Sequence, residues 1–423
     1  MVIGTTVSAV TSIPVDLRTL AVVQAGGQGS RMDVLTRERA KPALPFAATN
    51  ALIDFPLSVL AAAGVSDVWV SVQFQSSSLD GYLAGGRPWD LDRNRGGFRR
   101  LTPEEGTGSA HEEGFSHGNA DGLFRMREAI RVADPHVLIV MSADHVFNLD
   151  LRPVVAEHLA REAECTLVTA EIGVLEATQK VVVEHDADGQ VTAVRAKPRS
   201  TDSGTVATEI FLYRPQTLLA ELERLHAELQ AAADDDRDTG LGDFGEHLLP
   251  ALVQRGRVRA VPITGYWKDV GRPQAYLQAH RDLLTGTVDV FGHADRPVLG
   301  QTLPGPPGWV GEEGELVDAM VGPGSRVRGR VVRSVLGRGV QVQAGALVED
   351  SVLLDDVLVE AGARVRTSVV DRGARVGRDA TVGACPPGTR LTDEAVTLVG
   401  QDCRVRGGTT VEPGARLEPG STT

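Results

Sequence analysis

Beyond about residue 315 the chain repeats a hexad. VGPGSR (321–326), VQAGAL (342–347), VEAGAR (359–364), VGRDAT (376–381) and VEPGAR (411–416) each open on valine and continue in small, glycine, proline or polar residues. No helical period survives in this stretch. A hexad with one aliphatic residue suits one flat side of a triangular coil, with the aliphatic residue turned inward to stack on the next coil. The expected form is a parallel β-helix, and the coils resemble the left-handed hexapeptide type. A flexible glycine-rich tail is a weaker reading. The aliphatic phase persists through insertions such as VVRSVLGRG (331–339) and VEDSVLLDD (348–356).

Upstream, from about Leu20 to Leu284, short apolar runs alternate with longer segments of helical period, the pattern of an α/β sheet with parallel strands wrapped by helices. LAVVQA (20–25), DVWVSVQF (67–74), VLIVMSAD (137–144), CTLVTAEI (165–172) and VRAVPI (258–263) are the expected strands. PLSVLAAAG (56–64), 121–132, 151–164, 215–233 and FGEHLLPALVQRG (244–256) are the expected helices. Asp-Gly at 188–189, between two β-branched runs, signals a hairpin over 181–194. The acidic run DDDRD (234–238) reads as a solvated loop, and the Pro/Gly-dense 291–315 as a linker. A chain of 423 residues exceeds one compact core, so we divide it into a first α/β domain (1–290), a linker (291–315) and a β-helix domain (316–423).

Charge narrows the function. Lys and Arg number 43 against 56 Asp and Glu, a net charge of −13 that gives no general drive to hold a nucleic-acid backbone. No apolar run reaches the length of a membrane span, and the start of the chain lacks the basic then apolar order of a signal peptide, so neither a membrane nor a nucleic acid is an expected partner. The three cysteines, Cys165, Cys385 and Cys403, are widely spaced without metal-ligand partners and read as reduced thiols of a cytoplasmic protein.

The first strand runs into AGGQGSR (25–31), where Gly26, Gly27 and Gly29 free backbone amides to curl around a nucleotide phosphate and Arg31 adds fixed charge. RERAKP (37–42) then brings a second cation, Lys41. Neither the Lys-Ser/Thr pair of an ATPase phosphate loop nor GxGxxG is present. Together with LIDFPLSV (52–59), QFQSSSLDGYL (73–83), GRPWDLDRNRGGF (86–98), GNAD (118–121), SADHVFNLD (142–150), KP (197–198), DFGEHLLP (243–250) and YWKDVGR (266–272), this stretch resembles the ordered motifs of the glucose-1-phosphate adenylyltransferase family.

That resemblance implies a nucleotidyltransferase domain of Rossmann-like α/β type that joins a nucleoside triphosphate to a sugar 1-phosphate with release of pyrophosphate. It implies that Asp144 and Asp269 hold Mg²⁺, that Lys197 grips the acceptor phosphate, and that Gln73 and the loop Gly118, Asn119 and Asp121 surround the base. No protein general base is needed, because the attacking phosphate oxygen is already ionised. Relatives of this kind also imply a homo-oligomer. His111, His117 and His145 form no expected metal group, and Trp89 and Trp267 read as packing residues.

The departures from the family pattern point at the acceptor. Phe-Gly-Val is replaced by Lys180-Val181-Val182, the Glu of Glu-Lys-Pro by Ala196, Ser-x-Gly by Ala207-Thr208-Glu209, and an acidic position of the DFG segment by His247. Glu38 stands where glycogen enzymes carry an activator lysine, and 47–51 lose a basic residue. With Asp144, Asp269 and Lys197 kept, three readings remain: an active enzyme using a cyclitol or other pseudo-sugar 1-phosphate such as valienol 1-phosphate, a housekeeping enzyme making ADP-glucose, or a non-catalytic regulatory subunit.

Overall fold

The computed structural model describes residues 16–27, 29–94, 96–102, 116–230, 239–286, 288–301, 305–384 and 391–423. The acidic run at 234–238, Cys385 and His111 lie outside them. A nine-stranded sheet organises the first part, and three six-stranded parallel sheets the second.

In the large sheet, strand Thr19–Gln24 lies between Val137–Ser142 and Asp67–Ser71, parallel to both. Successive residues of a strand face opposite sides. Accordingly Ala21 and Val23 enter one buried cluster and Leu20 and Val22 the other. Helices such as Asp54–Ala62 and Pro215–Gln230 cover the faces, which is why the run is apolar throughout rather than alternating.

Three expectations change. The sheet is mixed, because Thr205–Tyr213, absent from the expected strands, runs antiparallel to both Val137–Ser142 and Cys165–Glu171. Its register shifts between Ala207 and Phe211, a bulge in which Glu209 takes φ 58. The helix expected at 121–132 is two, Asn119–Arg125 and Arg127–Ala133, broken at Met126. The helix expected from 244 begins at Leu248, leaving Asp243 to Glu246 free of helical constraint. The hairpin forms as read, Val181–His185 against Val191–Ala196.

In the second part Val327, Val342, Val359, Val376 and Val405 stack in register, one per coil, and all are buried. The opening valines of three hexads, Val342, Val359 and Val376, therefore stand in one ladder, while Val321 and Val411 fall in the other two sheets. Coiling starts early, since Trp309–Val310 already pairs with Arg326–Val327 inside the segment read as linker. The segment before it is pinned as well: Leu299 O accepts from Trp89 Nε1 at 3.1 Å, and Leu299 N donates to Ser58 Oγ at 2.8 Å. Trp89 is thus a packing residue, as expected. Cys165 and Cys403 are buried and unpaired. Among the described residues no helix is long and apolar enough to cross a membrane.

The β-helix packs onto the first part through Val335, Val352, Leu354, Val369, Val396 and Leu398, which share one buried cluster with Met32 and Leu35. Ion pairs reinforce this contact. Arg39 reaches Asp371 at 2.5 Å with side-chain exposures of 12% and 2%, and Arg37 reaches Glu418 at 3.1 Å. Both arginines lie between Arg31 and Lys41, so the β-helix fixes the segment that carries the two site cations. Arg39→Ala leaves Asp371 buried without its cation, and should cost about 3–5 kcal/mol in denaturant unfolding. A loss below about 1 kcal/mol would show that the pair does not fasten the two parts.

Candidate functional site

The parallel strands Thr19–Gln24, Asp67–Ser71 and Val137–Ser142 all point their C-terminal ends into one cavity of about 1010 Å³, the crevice where open α/β sheets bind ligands. Each expected motif follows one of these strand ends. Ala25, Gly26, Gly27 and Arg31 line the cavity after the first strand, Gln73 after the second and Asp144 after the third. Gly29 has φ 66 and caps the short helix Ser30–Thr36, so it shapes the turn rather than the wall.

Gln73 meets Ser116 twice, by a short contact between their side chains and by Ser116 N donating to Gln73 Oε1 at 3.0 Å. Gly118 takes φ 115, and a Cβ there would lie 2.3 Å from the Gly242 backbone, so only glycine lets the two loops close. Asn119 Oδ1 accepts from Phe244 N at 2.6 Å, tying the two walls. Asp121 is a correction. Its carboxylate is fully buried, accepts from His117 N at 2.7 Å and Thr239 Oγ1 at 2.9 Å, and pairs with Arg125 at 3.0 Å. It organises the loop and does not line the cavity, which the sequence could not reveal because the same residue type serves either task.

Asp269 ends the strand Trp267–Asp269, which pairs with His145–Phe147 and sets Asp269 opposite His145. That pairing brings together two carboxylates distant in sequence. Lys41 Nζ lies 2.5 Å from Asp144 Oδ2 and 3.9 Å from Asp269 Oδ1. A Cβ at Gly271 would sit 2.8 Å from Asp269 Oδ1 and 2.9 Å from Lys41 Nζ, so the glycine of YWKDVGR leaves the room this cluster needs. Burial favours the neutral forms of both aspartates, but Lys41 and His145 beside Asp144, and Lys180 and Lys41 beside Asp269, outweigh it and hold both carboxyls far below their ordinary range. Burial likewise opposes the Lys41 ammonium, and Asp144 and Asp269 reverse it, so its pKa ends raised. Both aspartates stay ionised and converge on one cationic atom, a donor set that fits a divalent cation.

Three members of this centre escaped the sequence reading. Lys180, taken only as a changed acceptor residue, closes a short ion pair with Asp269 and lies 5.8 Å over the Trp267 ring. His145, expected to take no part in a metal group, is buried with Nε2 3.3 Å from Asp144 Oδ1. Ligand atoms of Asp144, His145 and Glu209 all lie within 4.8 Å of one another. The adjacency of His145 to Asp144 was visible in SADH, but the bulge that swings Glu209 alongside was not. Trp267 is buried as expected, though against the site: its ring stands edge-on to His145 at 5.2 Å.

The opposite wall carries Val181, Ala196, Lys197, Phe211, Phe244 and Gly245. Val181 and Ala196 are register partners, and a Cβ at Gly245 would lie 2.7 Å from the Val181 Cγ2 and 3.0 Å from the Ala196 Cβ, so glycine leaves room for both. Lys197 is well exposed, its Nζ 3.9 Å from Asp243 Oδ2, and remains available to an incoming anion. His247 is not part of the wall.

A family profile described as nucleotidyl transferase matches residues 20–286, and one described as GlmU-like, C-terminal hexapeptide matches 308–399, which fits the three-sided coil to the left-handed hexapeptide form. Among curated relatives, a glucose-1-phosphate adenylyltransferase of Clostridium botulinum is 32% identical over 337 residues, 79% of this chain and 84% of the relative. One of Clostridium beijerinckii is 29% identical over 397 residues, covering 93% and 97%. One of Bacillus licheniformis is 31% identical over 326 residues, covering 76% and 83%.

Proposed function

The chain belongs to the nucleotidyl transferase family, and from that premise we propose that its acceptor is the 1-phosphate of a cyclitol or other pseudo-sugar rather than of glucose. The reaction itself is nucleotidyl transfer to a sugar-type 1-phosphate. The observation that carries the acceptor reading is the wall at Val181 and Ala196. There an aliphatic side chain and a methyl group face the cavity, beside Lys197, where the family pattern has a glycine and a carboxylate. Such a wall offers no acceptor for ring hydroxyls and suits a ring with fewer or displaced ones.

In this reading the amides after the first strand and Arg31 cradle the triphosphate, while Gln73 and the Gly118-Asn119 loop border the base. Lys197 holds the acceptor phosphate, whose ionised oxygen attacks the α-phosphorus as the bond to pyrophosphate breaks. Asp144 and Asp269 would hold the divalent cation, Mg²⁺ in this proposal, which when bound neutralises charge gathering on the α-phosphate. Lys41 and Lys180, each paired with one of these aspartates, keep the carboxylates aimed at a common point. The hydrogen bond from Phe244 N to Asn119 Oδ1 joins the two walls of the crevice.

The names of the relatives favour a second reading, in which glucose 1-phosphate is the acceptor and ATP the donor. A panel of ATP and GTP crossed with glucose 1-phosphate and cyclitol phosphates, read by pyrophosphate release, decides between them. We expect kcat/KM for a cyclitol phosphate to exceed that for glucose 1-phosphate by at least about a hundredfold. The opposite order establishes the glucose reading.

A further inference from the structure

Asp144 and Asp269 each have an ammonium partner, whereas the Glu209 carboxylate makes no hydrogen bond or ion pair among the described residues. It stands in a cavity wall with its oxygen within 4.8 Å of ligand atoms of Asp144 and His145. Three carboxylates thus share a space in which both lysines are already engaged. A third like charge beside two others is repulsive, and the repulsion is relieved either by a proton on one carboxylate or by a cation held among them. A hydroxyl of an acceptor could satisfy its hydrogen bonds but leaves the charge in place.

The backbone fixes where Glu209 stands. Glu209 sits at φ 58 in the bulge of Thr205–Tyr213, a left-handed conformation that side chains with a Cβ avoid unless the surroundings impose it. Thr208 locks this bulge on both sides. Its Oγ1 donates to Val168 O at 2.8 Å, and its carbonyl accepts from His145 Nδ1 at 3.1 Å. The second of these bonds turns His145 Nε2 toward Asp144, into the same space that Glu209 enters.

We propose that Glu209 is a third carboxylate ligand of the divalent cation held by Asp144 and Asp269, reaching it from the bulge of Thr205–Tyr213, the strand paired with Val137–Ser142. This rests on the nucleotidyl-transfer reading only for the presence of a cation, and it moves Glu209 from the acceptor wall to the cation. Site charge and ligand count tune the affinity of oxygen-ligand sites for hard cations, so losing one ligand weakens binding at the site before any substrate arrives.

The test uses the full chain without nucleotide or acceptor and reads bound Mn²⁺ by electron paramagnetic resonance. Glu209→Gln and Glu209→Gly should each raise the Mn²⁺ dissociation constant at least roughly tenfold. Glu209→Gly should do so while its Tm stays level or rises, because glycine accepts the bulge conformation that glutamate strains to hold. A residue with only a structural role gives no such opposition of the two readouts. Equal Mn²⁺ retention by the wild type and both variants, at whatever affinity, overturns the assignment. Because no acceptor is present, a protein that proves to use glucose 1-phosphate overturns the acceptor reading and leaves this result untouched.

Discussion

Asp144→Asn lowers turnover at least about a hundredfold at saturating Mg²⁺ while the protein remains folded. The expectation follows from the charge geometry. Asp144 is ionised, shares Lys41 with Asp269, and receives Ser142 Oγ in a short hydrogen bond that fixes its rotamer. Asparagine keeps the shape and one acceptor but removes the negative charge that would hold the cation against the α-phosphate. Loss of one such electrostatic contact to a transferring group is typically worth ~10²-fold or more. Asp269→Asn should do the same, since its Oδ1 still accepts from Gly271 N, 2.7 Å away, and the turn survives the substitution. Steady-state turnover beside circular dichroism checks both. Near-normal turnover in a folded variant would remove that aspartate from the cation site.

The β-helix was legible because its signal is a repeat, and the phase of Val342, Val359 and Val376 in the sequence is their stacking in the fold. The parallel strands were equally plain, since burial on both faces makes each a continuous apolar run. Thr205–Tyr213 escaped because ATEIFLY carries a glutamate in mid-strand, and the bulge that accommodates it is a matter of register with Cys165–Glu171, not of local composition. The same bulge hid Glu209 from the cation site. Lys180 was hidden for a related reason, as its partner Asp269 lies far away in sequence and is positioned by its own pairing with His145. Asp121 failed the other way: a motif match carried it into the site, and three hydrogen-bond partners inside the fold hold it out. Motifs located the crevice, and the long-range pairings decided which side chains enter it.

Val181→Gly combined with Ala196→Glu should raise kcat/KM for glucose 1-phosphate by roughly two to four powers of ten. Val181 and Ala196 face each other across the hairpin and both lie beside Gly245, on the side its missing Cβ would occupy, so the two changes act on one patch of wall. Glycine at 181 removes the branched side chain and opens room for a ring hydroxyl. Glutamate at 196, next to the phosphate-gripping Lys197, supplies an acceptor for the hydroxyl that enters. A hydroxyl left unpaired in such a wall costs ~1–3 kcal/mol, and a pocket that pairs hydroxyls discriminates strongly against one that cannot. Two such changes compound, although contact between the residues makes their energies less than independent. The single variants therefore belong in the experiment, with Val181→Gly alone expected to relieve crowding and Ala196→Glu alone to suffer from it. Cyclitol phosphate should lose efficiency in the double variant as glucose 1-phosphate gains it. If the unaltered protein already uses glucose 1-phosphate efficiently and the double variant brings no gain, this wall does not select the acceptor, and the synthesis of ADP-glucose becomes the better reading of the site.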